Sequence, residues 1–271
     1  MARTAITSGR AAIASARTAI SSPRTAISAF KVPIDFVDMG ITHLWDFRTG
    51  KIGSNNNSVA DLIGTANLNW RGTSALSSVY TSGEYSADLE RGNSDYFSSN
   101  PLVLTNGATA ITLFAWIKQE SAVLGQIRHM LSQWEGTSGN FRGFTFRIDN
   151  FNRMEMFLSS DGTLANQASY TTSETLTDTT NWNFVLATYD TTNRGQIYLN
   201  NTLQTATLSV GSHPASIFSI NVSVLVGANN PSVVANYMDG KIGICGIAES
   251  TALSVAQQTR LYDVTRKLMG L

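Results

Sequence analysis

Residues 111–118 read ITLFAWIK. Successive side chains of an extended strand point to opposite faces. Ile111, Leu113, Ala115 and Ile117 therefore share one face, and Phe114 and Trp116 share the other. Both faces are apolar. Only a central strand covered on both sides tolerates that pattern, because a sheet with one wet face alternates apolar with polar residues.

Working outward, further strands are predicted near 42–47, 94–98, 128–134, 142–148, 153–159, 182–189, 194–200, 203–208, 222–227 and 237–247. Turn residues separate them: Asp161-Gly162, Thr192-Asn193-Arg194-Gly195 and Asn200-Asn201. Segments 182–189 and 194–200 are joined by the short loop Asp190–Asn193, which predicts a hairpin. Many short strands at this spacing indicate a β-sandwich or barrel. One helix is expected near the C-terminus, where Ser254-Val-Ala-Gln257 has the capping-box pattern, and its expected place is against the edge of the sandwich.

Composition supports an all-β reading. Of 271 residues, 42% are hydrophobic and only 14% charged. Ser, Thr, Asn and Gly fill the deficit, as in loop-rich β proteins. Lys+Arg and Asp+Glu are equal at 19 each, which argues against a nucleic-acid partner. Cys245 is the single cysteine and sits in an apolar run, so it reads as a buried thiol with no disulfide and no Cys-based zinc site. The arginine-punctuated start is no secretory signal, and no run of about 18 apolar residues predicts a membrane span. The expectation is a protein made in a cytoplasm that does not leave by the usual route.

At this point the order of segments resembles a known family. HLWDF (43–47), DLIGTANL (61–68), ITLFAWIK, WNFVLATYD (182–190) followed by IYLNNTL (197–203), and MDGKIGICGIAESTALSVAQQTRLYD (238–263) are similar to successive motifs of the concanavalin A-like jelly roll in its laminin-G-like, type 3 form. The resemblance covers about residues 41 to 265. It implies an antiparallel β-sandwich, a fold shared by lectins, adhesion modules, polysaccharide-cleaving enzymes and structural virion domains. Two positions depart from the pattern. Asn201 stands where the family often has glycine, and Gly243-Ile244 replaces an acidic pair.

Glycan-cleaving members need carboxylates alternating on one strand, so that acid and nucleophile flank one bond. No Glu-x-Asp-x-x-Glu segment exists; the nearest acids, Glu84…Asp88…Glu90 and Asp149…Glu155, lack that spacing. His43, His129 and His213 are scattered, and no nucleotide-binding loop is present. No catalytic residues and no required cofactor are therefore expected. Calcium is the metal this fold most often carries, and the resemblance would place it on Asp61 and Asp239, for each of which turn capping is the commoner role. Glycan binding needs an aromatic face with amides or acids around it. Rim loops offer Trp134 in SQWEGTSGNF and Asn229, Asn230 and Tyr237 in GANNPSVVANY. An inward-packed Trp134 and simple turn-forming asparagines are the structural alternatives.

The N-terminus is a different kind of sequence. Arg3-Thr-Ala-Ile6, Arg10-Ala-Ala-Ile13, Arg17-Thr-Ala-Ile20 and Arg24-Thr-Ala-Ile27 repeat every seven residues. The second seam of a coiled coil would be Gly9, Ala16, Pro23 and Phe30, which is poor and holds a helix breaker. A strand would turn successive isoleucines to opposite faces. Alone the segment buries too little to offset its ordering entropy. It reads as an extended anchoring arm (1–30) whose arginines and isoleucines meet other proteins or identical chains, followed by a linker (31–40) and a laminin-G-like domain (41–271). Such an arm ahead of such a domain suggests a non-enzymatic bacteriophage virion protein, a capsid decoration, head fibre or tail-associated protein, whose exposed domain meets host-surface glycans. A carbohydrate-binding adhesion module of a bacterial protein is the alternative.

Overall fold

The computed structural model describes residues 32–49, 57–74, 86–104, 107–136 and 139–271. The repeat arm, with Arg3, Ile6, Arg10, Ile13, Arg17, Ile20, Arg24 and Ile27, lies outside the described residues. Contacts divide the chain into Met1–Phe36 and Val37–Leu271. The expected linker contains a helix, α1 (Val32–Asp38). Pro33 falls in its first turn, where a missing N–H breaks no helical bond.

The second unit is built from antiparallel strands: β1 (His43–Asp46), β2 (Ser58–Val59), β3 (Leu68–Arg71), β4 (Ala87–Leu89), β5 (Tyr96–Ser99), β6 (Leu102–Val103), β7 (Ala110–Gln119), β8 (Arg128–Glu135) and β9 (Phe141–Ile148). They continue through β10 (Arg153–Ser159), β11 (Gln167–Thr175), β12 (Asn183–Asp190), β13 (Arg194–Leu199), β14 (Thr202–Gln204), β15 (Ala206–Val210), β16 (Asn221–Val222), β17 (Leu225–Val226) and β18 (Gly240–Glu249), ending in helix α2 (Val255–Leu268). One sheet runs β1-β18-β7-β12-β13-β14, with β4 also on β18. The other runs β15-β11-β10-β9-β8-β17-β5-β3-β2, and β16 pairs with β6 in a small third sheet.

The two large sheets close on one core. Leu113, Ala115 and Ile117 of β7, Val185 and Ala187 of β12, and Ile247 of β18 meet Phe97, Phe144, Phe146, Met156 and Leu158 of the opposite sheet. The strand that decides the fold is central, between β18 and β12, and its second apolar face is covered as the sequence requires. The cover is α2, which packs on the sheet face and not on the sandwich edge. Tyr262 stacks on Trp116 with ring centroids 5.7 Å apart and meets Phe184 edge-on at 5.5 Å. The indole Nε1 of Trp116 donates to Thr265 Oγ1 at 2.8 Å. The Ser254–Gln257 capping box is present in full and starts the helix. The departure at Gly243 follows from this packing. A Cβ there would stand 2.5 Å from Met269 Cε, so a larger residue would push the Met269 side chain away from β18.

Other sequence expectations divide. The β12–β13 hairpin forms, with Asp190 Oδ1 accepting from the amides of Thr192 and Asn193. Asn201 takes the left-handed conformation expected of a glycine substitute, at φ 65°. The predicted strand 203–208 breaks at Thr205, because β14 belongs to one sheet and β15 to the other. Among the described residues no helix is long and apolar enough to cross a membrane.

Candidate functional site

One sheet has core on one side and α2 on the other. The opposite sheet has core on one side and a polar outer face on the other. Period two sets this face residue by residue. On β9, Phe144, Phe146 and Ile148 enter the core, which turns Thr145 and Arg147 outward. On β10, Met154, Met156 and Leu158 point in, and Glu155 and Phe157 point out. On β11, Ala168 and Tyr170 point in, and Gln167, Ser169 and Thr171 point out.

A cleft of about 280 Å³ opens on this face. Its apolar wall is Trp134, Phe157 and Leu164. Its polar wall is Arg142, Thr145, Arg147, Gln167 and Asn229, with His129 at the base and Gly136 at the rim. Trp134 meets Phe157 edge-to-face at 5.7 Å. The guanidinium of Arg147 lies 4.4 Å over the Phe157 ring. It is fixed there by Glu155, whose Oε2 accepts from Nε at 2.8 Å and from Nη2 at 2.7 Å. Glu155 Oε1 accepts from Ser169 Oγ at 2.6 Å and Thr171 Oγ1 at 3.0 Å, so the buried carboxylate is fully hydrogen-bonded.

His129 is buried, with Nδ1 2.6 Å from Thr145 Oγ1. Burial, and then the charge of Arg147, hold its pKa well below the usual imidazole range, so it is neutral. Thr145 Oγ1 donates to Leu131 O at 3.4 Å, so it accepts from Nδ1–H and leaves Nε2 as a bare acceptor. That Nε2 meets no donor within the described residues. Arg142 donates to the carbonyls of Gly136 at 3.0 Å, Gly162 at 3.3 Å and Gly139 at 3.4 Å. It ties the β8–β9 and β10–β11 loops to the cleft rim.

Of the residues singled out in the sequence for glycan binding, the structure brings Trp134 and Asn229 to the cleft. Trp134 faces the cleft and does not pack into the sandwich core. Asn230 and Tyr237 do not line it. Asn230 builds the adjoining turn, with Oδ1 accepting from Gly136 N at 2.8 Å and Nδ2 donating to Val233 O at 3.1 Å. Tyr237 donates to Val234 O at 3.0 Å and packs against Tyr96 at 6.0 Å. The sequence reading missed Arg142, Arg147, Phe157, Gln167 and His129. The alternation of FRGFTFRI and RMEMFLS is the signal that would have placed Arg147 and Phe157 on one outward face.

Asp61 is surrounded by donors. Oδ1 accepts from the amides of Leu44, Ile63 and Gly64, and Oδ2 from Ala66 N and His43 Nδ1. A carboxylate has about four lone-pair sites, so no oxygen of Asp61 remains open to calcium. Its role is to organise the β2–β3 loop and tie it to β1. Asp239 is placed differently, beside a carboxylate group. Ligand oxygens of Asp88, Glu90 and Glu120 all lie within 4.8 Å of one another. Burial, and then the charges of Asp88 and Asp239 among others, raise the pKa of both Glu90 and Glu120. Calcium takes carboxylate oxygens at about 2.3–2.6 Å, so this spacing fits one ion shared by the three, with Asp239 adding to the negative field. These residues, and not Asp61, would hold it.

Residues 91–256 match the type 3 laminin G family model, described as the concanavalin A-like lectin/glucanases superfamily. The chain belongs to this superfamily. The matched residues of this laminin G type 3 domain include every residue of the cleft. A search of curated proteins finds no match. Among solved structures, the domain is similar to the botulinum neurotoxin serotype D binding domain, with TM-score 0.55 and 18% identity over 84% of this chain and 51% of that one. It is similar also to the serotype D ligand binding domain in complex with N-acetylneuraminic acid, with TM-score 0.54 and 14% identity over 83% and 51%. The binding domain of neurotoxin DC in complex with SialylT gives TM-score 0.56 and 13% identity over 83% and 51%. The chain thus spans about half the length of these neighbours, and the likeness is one of fold.

Proposed function

We propose that the laminin G type 3 domain is a non-enzymatic saccharide-binding module and that the cleft over β8 to β11 receives the sugar. The observation that carries this reading is the Trp134–Phe157 pair opposite Arg142, Gln167 and Asn229 across one cleft. An aromatic wall suits the C–H face of a sugar ring, and guanidinium and amide groups suit its hydroxyls. No carboxylate lines the cleft among the described residues, so it offers no acid and nucleophile pair for hydrolysis. The neurotoxin domains crystallised with N-acetylneuraminic acid and SialylT lend support from the same fold. The test is a glycan array probed with the full chain and with Trp134→Ala. Binding that the variant loses is expected, and an array without hits overturns the proposal.

The repeat arm favours a compatible second role. One arginine and one isoleucine presented four times at fixed spacing suit a partner surface that itself repeats. On this reading the arm anchors the chain in a virion, on other virion proteins or on identical chains, and the domain faces outward. Light scattering of the full chain against a truncation starting at Val37 tests it. Oligomers formed only by the full chain support self-association through the arm. Monomers in both cases remove identical chains as the partner.

A further inference from the structure

The charges around the cleft are unbalanced. Arg142 and Arg147 both line it. Arg147 is neutralised by Glu155, but Arg142 meets only the carbonyls of Gly136, Gly139 and Gly162 and has no acidic partner among the described residues. A guanidinium carries five N–H donors, so three carbonyl bonds leave both charge and donors to spare. A second donor lies beside it. A Cβ on Gly136 would stand 3.6 Å from Arg142 Nη2 and 3.8 Å from Trp134 Nε1, so both groups border the same exposed point on the rim. The indole N–H has no acceptor among the described residues.

We propose that the cleft selects saccharides bearing a carboxylate, which is received beside Gly136 by the guanidinium of Arg142 and the indole N–H of Trp134. This rests on the saccharide-binding reading above and narrows its ligand class to acidic sugars. The carboxylate supplies the missing counter-charge through charge-assisted hydrogen bonds, which are about twice as strong as neutral ones. The sugar ring then lies over the Trp134–Phe157 wall.

Removing Arg142 would also release three loop carbonyls, so the test leaves it in place. Gly136→Asp puts a carboxylate on the protein at the point where the ligand's would sit. The full chain is titrated calorimetrically with methyl glycosides of N-acetylneuraminic, glucuronic and galacturonic acid, each beside its methyl ester. At least one acid is expected to bind about tenfold or more tighter than its ester, with the advantage reduced by salt and lost in Gly136→Asp. Acids and esters that bind alike overturn the selection for a carboxylate and leave the saccharide reading standing. If no acid and no ester binds and the glycan array is also empty, both proposals fall.

Discussion

His43 Nδ1 lies 2.5 Å from Asp61 Oδ2, and its Nε2 lies 2.7 Å from Glu249 Oε1. One imidazole therefore joins β1, the β2–β3 loop and the end of β18. Burial alone would lower the His43 pKa, but the hydrogen bonds to Asp61 and Glu249, and then their charges, outweigh it and raise it to about 9. Both ring nitrogens donate, and the group is an imidazolium at neutral pH. Gly64 packs directly on it, since a Cβ there would meet His43 Nδ1 at 2.6 Å.

The sign of the resulting pH dependence is fixed. His43 titrates near 6.5 when unfolded and about 9 when folded. Its stabilisation is fully present below pH 6.5 and is lost as pH rises toward 9. The loss is no more than about 2 to 3 kcal/mol once solvent screening is allowed for. Urea denaturation at pH 6, 7, 8 and 9 is expected to show the decline in the wild type, and His43→Gln is expected to be less stable at pH 6 and flatter in this window.

Arg128 is wholly buried, and its guanidinium donates to Ser121 O and Asn152 Oδ1. Burial, and then the neighbouring Arg91, lower its pKa to about 10, so it stays charged in the physiological range. It joins the β7–β8 loop to the β9–β10 turn. Arg128→Met leaves those acceptors unpaired, and a loss of about 3 kcal/mol is expected, with faster amide exchange at 121–125 and 149–152.

The helix on the sheet face makes a separate prediction. Leu261 of α2 is fully buried. Leu261→Ala is expected to cost about 2 to 5 kcal/mol. Removing α2 altogether would bare Trp116, Phe114 and Phe184, and aggregation is the expected outcome in size-exclusion chromatography.

These elements show what was legible beforehand. ITLFAWIK announced cover on both faces, and the cover exists. Its nature was not legible, because Ser254–Gln257 locates the start of a helix but not the surface it lands on. Strand β11 was missed because QASYTTSET puts Ser and Thr outward and has only Ala168 and Tyr170 as core residues. The cleft was half legible. Trp134 and Asn229 stood near the sandwich rim where binding residues are sought, whereas Arg147 belongs to a strand whose alternation reads as plain solvent exposure and Arg142 shares the parity of core Phe144. For Asp61 turn capping was the commoner expectation beside calcium, and the folded loop surrounds its carboxylate with amide donors.

The carboxylates of Asp88, Glu90 and Glu120 repel one another on the chain as it stands. Glu90→Gln is expected to raise the melting temperature by about 1 °C. Calcium at about 1 mM is expected to stabilise the wild type and to have no effect on Glu90→Gln/Glu120→Gln. Equal responses in both chains would remove this cluster as the site of the ion.

The central claim is that sugar enters the Trp134–Phe157 cleft. Its most direct test is the set of five indole N–H signals in a ¹H–¹⁵N spectrum of the full chain, one for each tryptophan, followed while a saccharide identified on the array is added. The account predicts that the Trp134 signal moves with saturation while those of Trp45 and Trp116, buried elsewhere, stay fixed. Saturable binding that leaves the Trp134 signal unmoved would contradict it.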